Sequence, residues 1–483
     1  MPAGGGGRRR LTAEGAPAPA RAPRPVAALA VLGVGASVAP LDFAVNVAFP
    51  AIAQAFALPT HAIRWVAVCY VLVTAALMVG FGALGDRIGH LRVFRWGLWL
   101  AVAAFVLCAI APAYPWLLGA RALQGVAVAA LLSCAPALAT RLVDEAERTW
   151  ALGAFASMSA VATLIAPYAG GLAMAALGWP GVYWLRVPLA LAALAGLPWL
   201  ARALRPAPRR DAPFDARGAA LLAAAIAAWL LAPALLGPGA GVWPAVALAA
   251  AGALLTAAFV RGQRRSPAPV LPRDAGLGAA FARLNTGACV VQFACFAVPL
   301  ILPFLLLRAW GWTPPAAGAV LTAWALGGLA GAWLAPRTVA AWGAAHACLV
   351  GLAAAAAGLA GFAAIAAWPA AVPLAALIAV QLLHGAGHGL WQVAYADRVV
   401  AALPASVRGA AGSLSIVTRN VGVVVGATLW TGMLQWHEAA AIAAGTDPRS
   451  TLPAAVSAVY AAAAAIVAPF AVAALLGARG RTA

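Results

Sequence analysis

Long apolar runs broken by short polar loops dominate the chain. Windows of about 20 residues with few charges recur along most of its length, enough for a helix to cross the hydrocarbon of a bilayer. The strict alternation of a membrane β-barrel is absent. Helices are then the remaining element that satisfies every backbone polar group inside lipid. The pattern predicts an all-α polytopic membrane protein with spans at 27–50, 64–84, 94–112, 116–139, 150–176, 181–203, 218–236, 242–261, 281–307, 315–335, 344–367, 372–396, 408–434 and 454–477, fourteen in all.

Two polar linkers punctuate this series, Arg205-Pro-Ala-Pro-Arg-Arg-Asp-Ala-Pro-Phe-Asp215 and Gly262-Gln-Arg-Arg-Ser-Pro-Ala-Pro269. They suggest an organisation of four parts. Residues 1–25, rich in Gly, Pro, Ala and Arg, read as a disordered cytosolic tail. An N-terminal six-helix bundle (26–204) follows, then linkers with two inserted helices (205–278), then a C-terminal six-helix bundle (279–478). Two six-helix halves around a central site is the layout of a rocking secondary transporter.

Composition strengthens the membrane reading. The 483 residues are 65% hydrophobic and 9% charged, with a mean hydropathy of +0.94. A soluble domain carries about 25% charged residues. A net charge of +19 would suit a nucleic-acid binder, but the arginines sit in alternate short loops and at both termini, which argues against nucleic acid as a partner. Arg87, Arg92, Arg95, Arg141, Arg148, Arg205, Arg209, Arg210, Arg264, Arg265, Arg273, Arg337, Arg398 and Arg408 fall on one side. The opposite loops hold only Arg64, Arg308, Glu438, Asp447 and Arg449. Basic loops face the cytosol, so both termini are expected there. The basic residues are all Arg, and Ala is abundant, which points to a GC-rich bacterial genome and hence to the inner membrane. The six cysteines lie in apolar spans without metal-type spacing and read as buried free thiols. No cofactor or metal is expected.

Polar side chains at membrane depth are the candidate chemistry, because a charge at a helix centre costs about 2.5–3.5 kcal/mol on insertion scales. In the first span Asp42 and Asn46 are four apart and share a face; in the fourth, Arg121 and Gln124 do the same. At about 1.5 Å per residue, Asp42 and Arg121 both lie about 8–12 Å inside the outer boundary, close enough in depth to pair. Two readings stand: a structural ion pair, or an acid that exchanges a proton with Arg121 setting its affinity. Gln381, His384, His388, Gln392 and Tyr395 form one stripe on the span 372–396, flanked by Gly385 and Gly389, which allow a close neighbour. The stripe reads as a hydrogen-bonding cavity wall, with polar helix packing as the alternative. Two histidines four apart also suit zinc, but no third ligand is evident. Arg419 lies near mid-depth, to meet an anionic substrate group or backbone carbonyls. Asp397 is expected in an interfacial ion pair, and Arg186 is expected to snorkel to the outer surface. Asn46, Gln124, Gln381, His384, His388, Gln392 and Arg419 are thus the candidate cavity residues.

Between the second and third spans runs Gly82-Ala-Leu-Gly-Asp-Arg-Ile-Gly-His-Leu-Arg92, a short charged loop with glycines where the backbone bends. It resembles the G-x-L-x-D-R-x-G-R-R-x loop of the major facilitator superfamily. Other segments resemble the fourteen-helix drug–proton antiporter branch of that family. Leu41-Asp-Phe-Ala-Val-Asn-Val-Ala-Phe-Pro50 is similar to its first-helix signature, L-D-x-T-x-V-N-V-A-L-P, one residue shorter and with Ala44 in the region of the usual Thr. Arg121-Ala-Leu-Gln-Gly125 matches R-x-x-Q-G. Ala162-Thr-Leu-Ile-Ala-Pro-Tyr-Ala-Gly-Gly171 is similar to the antiporter motif G-x-x-x-G-P-x-x-G-G, with Ala162 and Ala166 for two glycines. Trp179 to Pro188 resembles W-R-W-x-F-x-x-N-x-P, with Arg186 where Asn is usual.

The resemblance implies a major facilitator fold and a proton-coupled exporter of small amphipathic drugs or metabolites. It assigns proton coupling to Asp42 and Arg121. Gly82, Asp86, Arg87, Gly89 and Arg92 would form a conformational latch. Ala162, Ala166, Pro167, Gly170 and Gly171 would form the element linked with export. Expected partners are a small-molecule substrate, protons and the bilayer, with the chain a monomer. Alternatives are a dedicated metabolite exporter or uptake symporter of the same fold and, more distantly, a membrane-embedded lipid-modifying enzyme using His384 or His388.

Overall fold

The computed structural model describes residues 25–205, 215–236, 241–266, 278–368, 373–402 and 408–479. Residues 1–24 of the expected tail, and Arg209, Arg210 and Arg273 of the linkers, lie outside the described residues. Among the described residues there is no strand, and thirteen helices are long and apolar enough to cross a membrane. In chain order they are α1 (Val26–Ala55), α2 (Thr60–Ile88), α3 (His90–Ala109), α4 (Tyr114–Thr140), α5 (Trp150–Leu177), α6 (Gly181–Ala203), α7 (Ala216–Ala234), α8 (Val242–Arg265), α9 (Phe281–Ala309), α10 (Pro314–Ala366), α11 (Leu374–Ala401), α12 (Leu414–Ala443) and α13 (Ser450–Pro469).

One element departs from the expected series. The segments 315–335 and 344–367 are joined in α10, which is 53 residues long. Straight, it would measure about 80 Å at about 1.5 Å per residue, far more than a bilayer needs. It is not straight, because Gly343 has φ 79° and ψ 156°, a backbone state open to a residue without Cβ. Packing against α11 shows what the break does. A methyl added at Gly327 would meet the carbonyl of Leu382, and one at Gly331 that of Ala386, so this arm ascends in step with α11. Beyond the break Gly351 abuts Trp391 and Gly358 abuts His384, in the reverse order. The two arms run in opposite directions beside α11.

Glycines set the helix spacing elsewhere too. The expected close neighbour of Gly385 and Gly389 is α10, whose Trp324 and Gly328 carbonyls occupy the space a Cβ would take. Gly170 lies on the backbone of Ala44, clamping α5 to α1. Gly171 meets Pro314 and Gly318 meets Pro167, so the same stretch of α5 also touches α10 backbone to backbone. Small residues permit this approach, which supplies packing where lipid removes the hydrophobic drive for helix association.

At one face the start of α2 meets the ends of α9 and α12. Thr60 donates from Oγ1 to both carboxylate oxygens of Glu438 at 2.9 Å. Arg308 approaches Glu438 at 3.6 Å and donates to Thr60 Oγ1 at 3.3 Å. At another, the loop after α4 is tied to the end of α6, where Arg141 donates to the Arg205 carbonyl and Arg205 pairs with Asp144.

Candidate functional site

The site begins with a proline. Pro40 has no N–H and cannot continue a regular helix, so α1 tightens into a 3₁₀ turn over Pro40–Asp42 before resuming at Phe43. The Asp42 backbone N–H donates to the Ala39 carbonyl within that turn. This kink carries the Asp42 side chain into the interior, where four donor groups converge on it. Arg121 of α4 grips it with two bonds, Nη1 to Oδ1 at 2.6 Å and Nη2 to Oδ2 at 2.9 Å. Gln124 Nε2 donates to Oδ1 at 2.9 Å, and Arg186 Nη1, from the start of α6, donates to the same oxygen at 2.8 Å.

The donors are themselves held. Arg121 Nε donates to the Val66 carbonyl at 2.7 Å, its Nη1 donates to Gln124 Oε1 at 2.8 Å, and its guanidinium sits 4.7 Å from the Tyr70 ring. Gly125, one turn beyond Arg121, lies against Tyr70 and Val73 and lets α2 come close. The Arg186 guanidinium lies 4.6 Å from the Phe105 ring, a cation–π contact in a dry setting. Planar bidentate pairing of this kind is geometrically demanding, and it fixes α1, α4 and α6 relative to one another.

Arg186 corrects the sequence reading. It does not snorkel to the surface; its side chain is 0% exposed and bonded to Asp42. The signal was available: Arg186 lies five residues into α6, about 8 Å at about 1.5 Å per residue, the same depth as Asp42 and Arg121.

Asp42 and Arg121 open onto a cavity of about 250 Å³. Asn46 and Tyr70 complete its wall on the side of the first helices. Gln292 of α9, Trp324 of α10, His388 of α11 and Asn420 of α12 line the opposite wall. The cavity therefore lies between α1, α2 and α4 on one side and α9, α10, α11 and α12 on the other. Trp324, Gln292 and Asn420 were not foreseen, since nothing in their local spacing marks them.

The polar stripe of α11 is divided by its neighbours. His388 reaches the cavity, with its ring Nε2 3.3 Å from Gln292 Oε1. His384 instead faces the other arm of α10, its Nδ1 3.0 Å from the Ala355 carbonyl. Gln381 is buried away from the cavity lining, Gln392 is exposed, and the Tyr395 hydroxyl donates to Asn285 Oδ1 at 2.9 Å. The two histidines point to different partners and do not converge on a common centre. Arg419 is half-buried with its Nε enclosed and without an acceptor, one turn before Val423 of the cavity wall. Asp397 is exposed near the end of α11.

In the charged loop, Gly89 adopts φ 100° between α2 and α3, and Gly85 leaves room for the His90 ring. Asp86 Oδ1 lies 3.5 Å from His90 Nε2 on the same hairpin, and Arg87 and Arg92 are exposed. Gly82 has open space on its Cβ side out to 3.9 Å. In α5, Ala162 and Ala166 are buried, and Pro167 lines a smaller pocket that shares Asn46 and Trp324 with the cavity.

Comparison with known proteins bears on this geometry. Residues 31–427 match the family model of the Major Facilitator Superfamily. The chain is 30% identical over 452 residues to the multidrug efflux pump LfrA of Mycolicibacterium smegmatis, covering 91% of this chain and 87% of that protein. It is 30% identical over 422 residues to the puromycin resistance protein pur8 of Streptomyces alboniger, covering 84% and 81%. The match to the multidrug resistance protein Stp of Mycobacterium tuberculosis is shorter, 28% over 282 residues, covering 57% of this chain and 52% of that protein. Among solved structures, a bacterial homologue of the human lysosomal transporter Spinster superposes with a TM-score of 0.66 at 18% identity, covering 95% of this chain and 98% of that one. The chain belongs to the Major Facilitator Superfamily and is a multi-pass transporter of the bacterial inner membrane.

Proposed function

We propose that this transporter exports small amphipathic compounds in exchange for protons, by alternating access of the cavity beside Asp42. The observation that carries the reading is the Asp42 cluster. It is an acid at membrane depth, 15% exposed on the cavity side, whose donors come from two further helices. A small shift of α4 or α6 against α1 removes a donor, and a carboxylate whose partners change with conformation takes up and releases a proton. Protons and cargo need only bias the two states differently to be coupled.

Supporting features agree in direction. The relatives named for multidrug efflux and puromycin resistance align over most of this chain. The export-linked stretch of α5 holds α1 on one side and α10 on the other. Counting the two arms of α10 as separate spans makes fourteen, with both termini cytosolic by the arginine asymmetry. The halves are then 26–204 and 279–478, with α7 and α8 inserted between them. The Thr60–Glu438–Arg308 contact closes the outer face, and the loop of Gly82, Asp86, Arg87, Gly89 and Arg92 is the cytosolic latch. Asn46, His388 and Arg419 contact cargo, and one chain is the working unit.

The test is proton movement in proteoliposomes under an imposed pH gradient, challenged with lipophilic cations, anions and neutral drugs. Compound-triggered dissipation of the gradient, absent from protein-free vesicles, is expected. Transport that proceeds without moving protons would overturn the coupling.

A further inference from the structure

We infer that the cargo carries an anionic group, a carboxylate or its chemical equivalent, on an aromatic or aliphatic body. This deepens the transport reading above and rests on its assignment of the cavity to cargo.

The first argument is the balance of charge. Asp42 is the acid among the described residues that lines the cavity, and two guanidiniums already share it. One carboxylate against Arg121 and Arg186 leaves an excess positive charge beside the cavity. Arg419 adds another, one turn before Val423 of the opposite wall and within electrostatic range of His388. The acids nearest these groups along the helices do not correct the balance: Asp397 is exposed at the end of α11, and Glu438 is engaged with Thr60 and Arg308 at the far end of α12.

The second argument is which hydrogen-bonding positions remain open. Oδ1 of Asp42 accepts from Arg121, Gln124 and Arg186. Oδ2 keeps one acceptor position beside its bond from Arg121. A cationic cargo that reaches it sits against the Arg121 guanidinium, which repels it unless that guanidinium is displaced and left buried without a counter-charge. An anion meets the opposite situation. Arg186 Nη2 and Arg419 Nε are both enclosed and lack an acceptor. An acid in the cavity is drawn by this surplus charge and breaks no existing pair. Tyr70 and Trp324 on facing walls offer flat apolar surfaces for the body of such a molecule.

The residue responsible is Arg186. It stands where the motif that this segment resembles carries Asn, and without its charge Asp42 would balance Arg121. Arg186 itself lies behind Asp42 and acts on cargo through the field of the cluster, as a positioning residue rather than a contact.

A matched pair of probes isolates the charge: 2-naphthoate and N,N,N-trimethyl-2-naphthylammonium share a ring system and differ in sign. Equilibrium dialysis of each against the purified full chain in neutral-detergent micelles needs no variant and so does not depend on refolding. Naphthoate is expected to bind about tenfold tighter or better, a ratio that one uncompensated charge several ångströms away supplies at an effective dielectric of about 20. Arg186→Asn and Arg419→Gln should each narrow that ratio, while Arg186→Lys, which keeps the charge, should retain most of it. Equal binding of the two probes, tighter binding of the ammonium, or no binding of naphthoate would overturn the inference. Proteoliposome proton flux separates the two readings. Flux driven by the ammonium alone leaves proton coupling standing and removes the anionic cargo. Naphthoate bound without any flux does the reverse.

Discussion

Asp42 is paired by Arg121 through both carboxylate oxygens and by Arg186 through one, and the two arginines are not equivalent. Removing the acid leaves two buried cations facing each other, so Asp42→Ala should destabilise the protein by about 3–5 kcal/mol. Arg186→Asn leaves the Arg121 pair intact and restores a neutral donor, so its cost should fall to about 1–2 kcal/mol. Thermal unfolding of the purified variants in one detergent checks the order; an Arg186→Asn variant as damaged as Asp42→Ala would contradict it. Helical spacing and depth make Asp42, Arg121 and Gln124 legible in the sequence. Arg186 was missed because an arginine close to a span end is ordinarily free to reach water. Here Tyr183 and Phe105 pack about its guanidinium and close that route.

At the scale of helices, spacing identifies a shared face but not what that face meets. The stripe on α11 is continuous in sequence, yet α10 folds around α11 and presents a different arm to each part of it. His384 is claimed by Ala355 and His388 by the cavity, an outcome decided by a neighbour rather than by the stripe. The same ambiguity hid the form of α10. Pro336 and Arg337 read as a loop, but the Ala-rich flanks sustain the helix as far as Gly343. Two glycine substitutions test the packing. Gly385→Leu has no room against the Trp324 carbonyl and should abolish recovery of folded protein, whereas Gly119→Ala, with nothing within 4 Å, should be silent in the same size-exclusion assay. Gly89→Ala should cost about 1–3 kcal/mol, because φ 100° strains any residue with a Cβ. A Gly89→Ala variant as stable as the parent would show that the hairpin relaxes to another geometry.

At the scale of the whole molecule, Thr60, Arg308 and Glu438 join the start of α2 to the ends of α9 and α12, the contact proposed above as the outer gate. Neutralising the acid weakens its contacts with Thr60 and Arg308 together, so Glu438→Gln should shift the population towards opening on that face. Cys295 lines the cavity and is a native reporter of access. In a variant retaining only that thiol, a membrane-impermeant maleimide added from outside should react several-fold faster with Glu438→Gln, at a ratio set by the population shift. An unchanged rate would remove these residues from the gate. The helical membrane class and the family were legible in the sequence because hydropathy acts over whole spans and the motifs are local. The Thr60–Glu438 contact was not, since its partners lie hundreds of positions apart.

The central claim is that protons move through Asp42, and one measurement tests it most directly. Compound-triggered proton flux is recorded in proteoliposomes holding wild type or Asp42→Asn, with matched protein orientation and with size-exclusion profiles confirming folded variant. Loss of flux by about tenfold or more in the variant, with compound binding retained, is the predicted result. Flux that survives the substitution would contradict the account and place the coupling elsewhere in the chain.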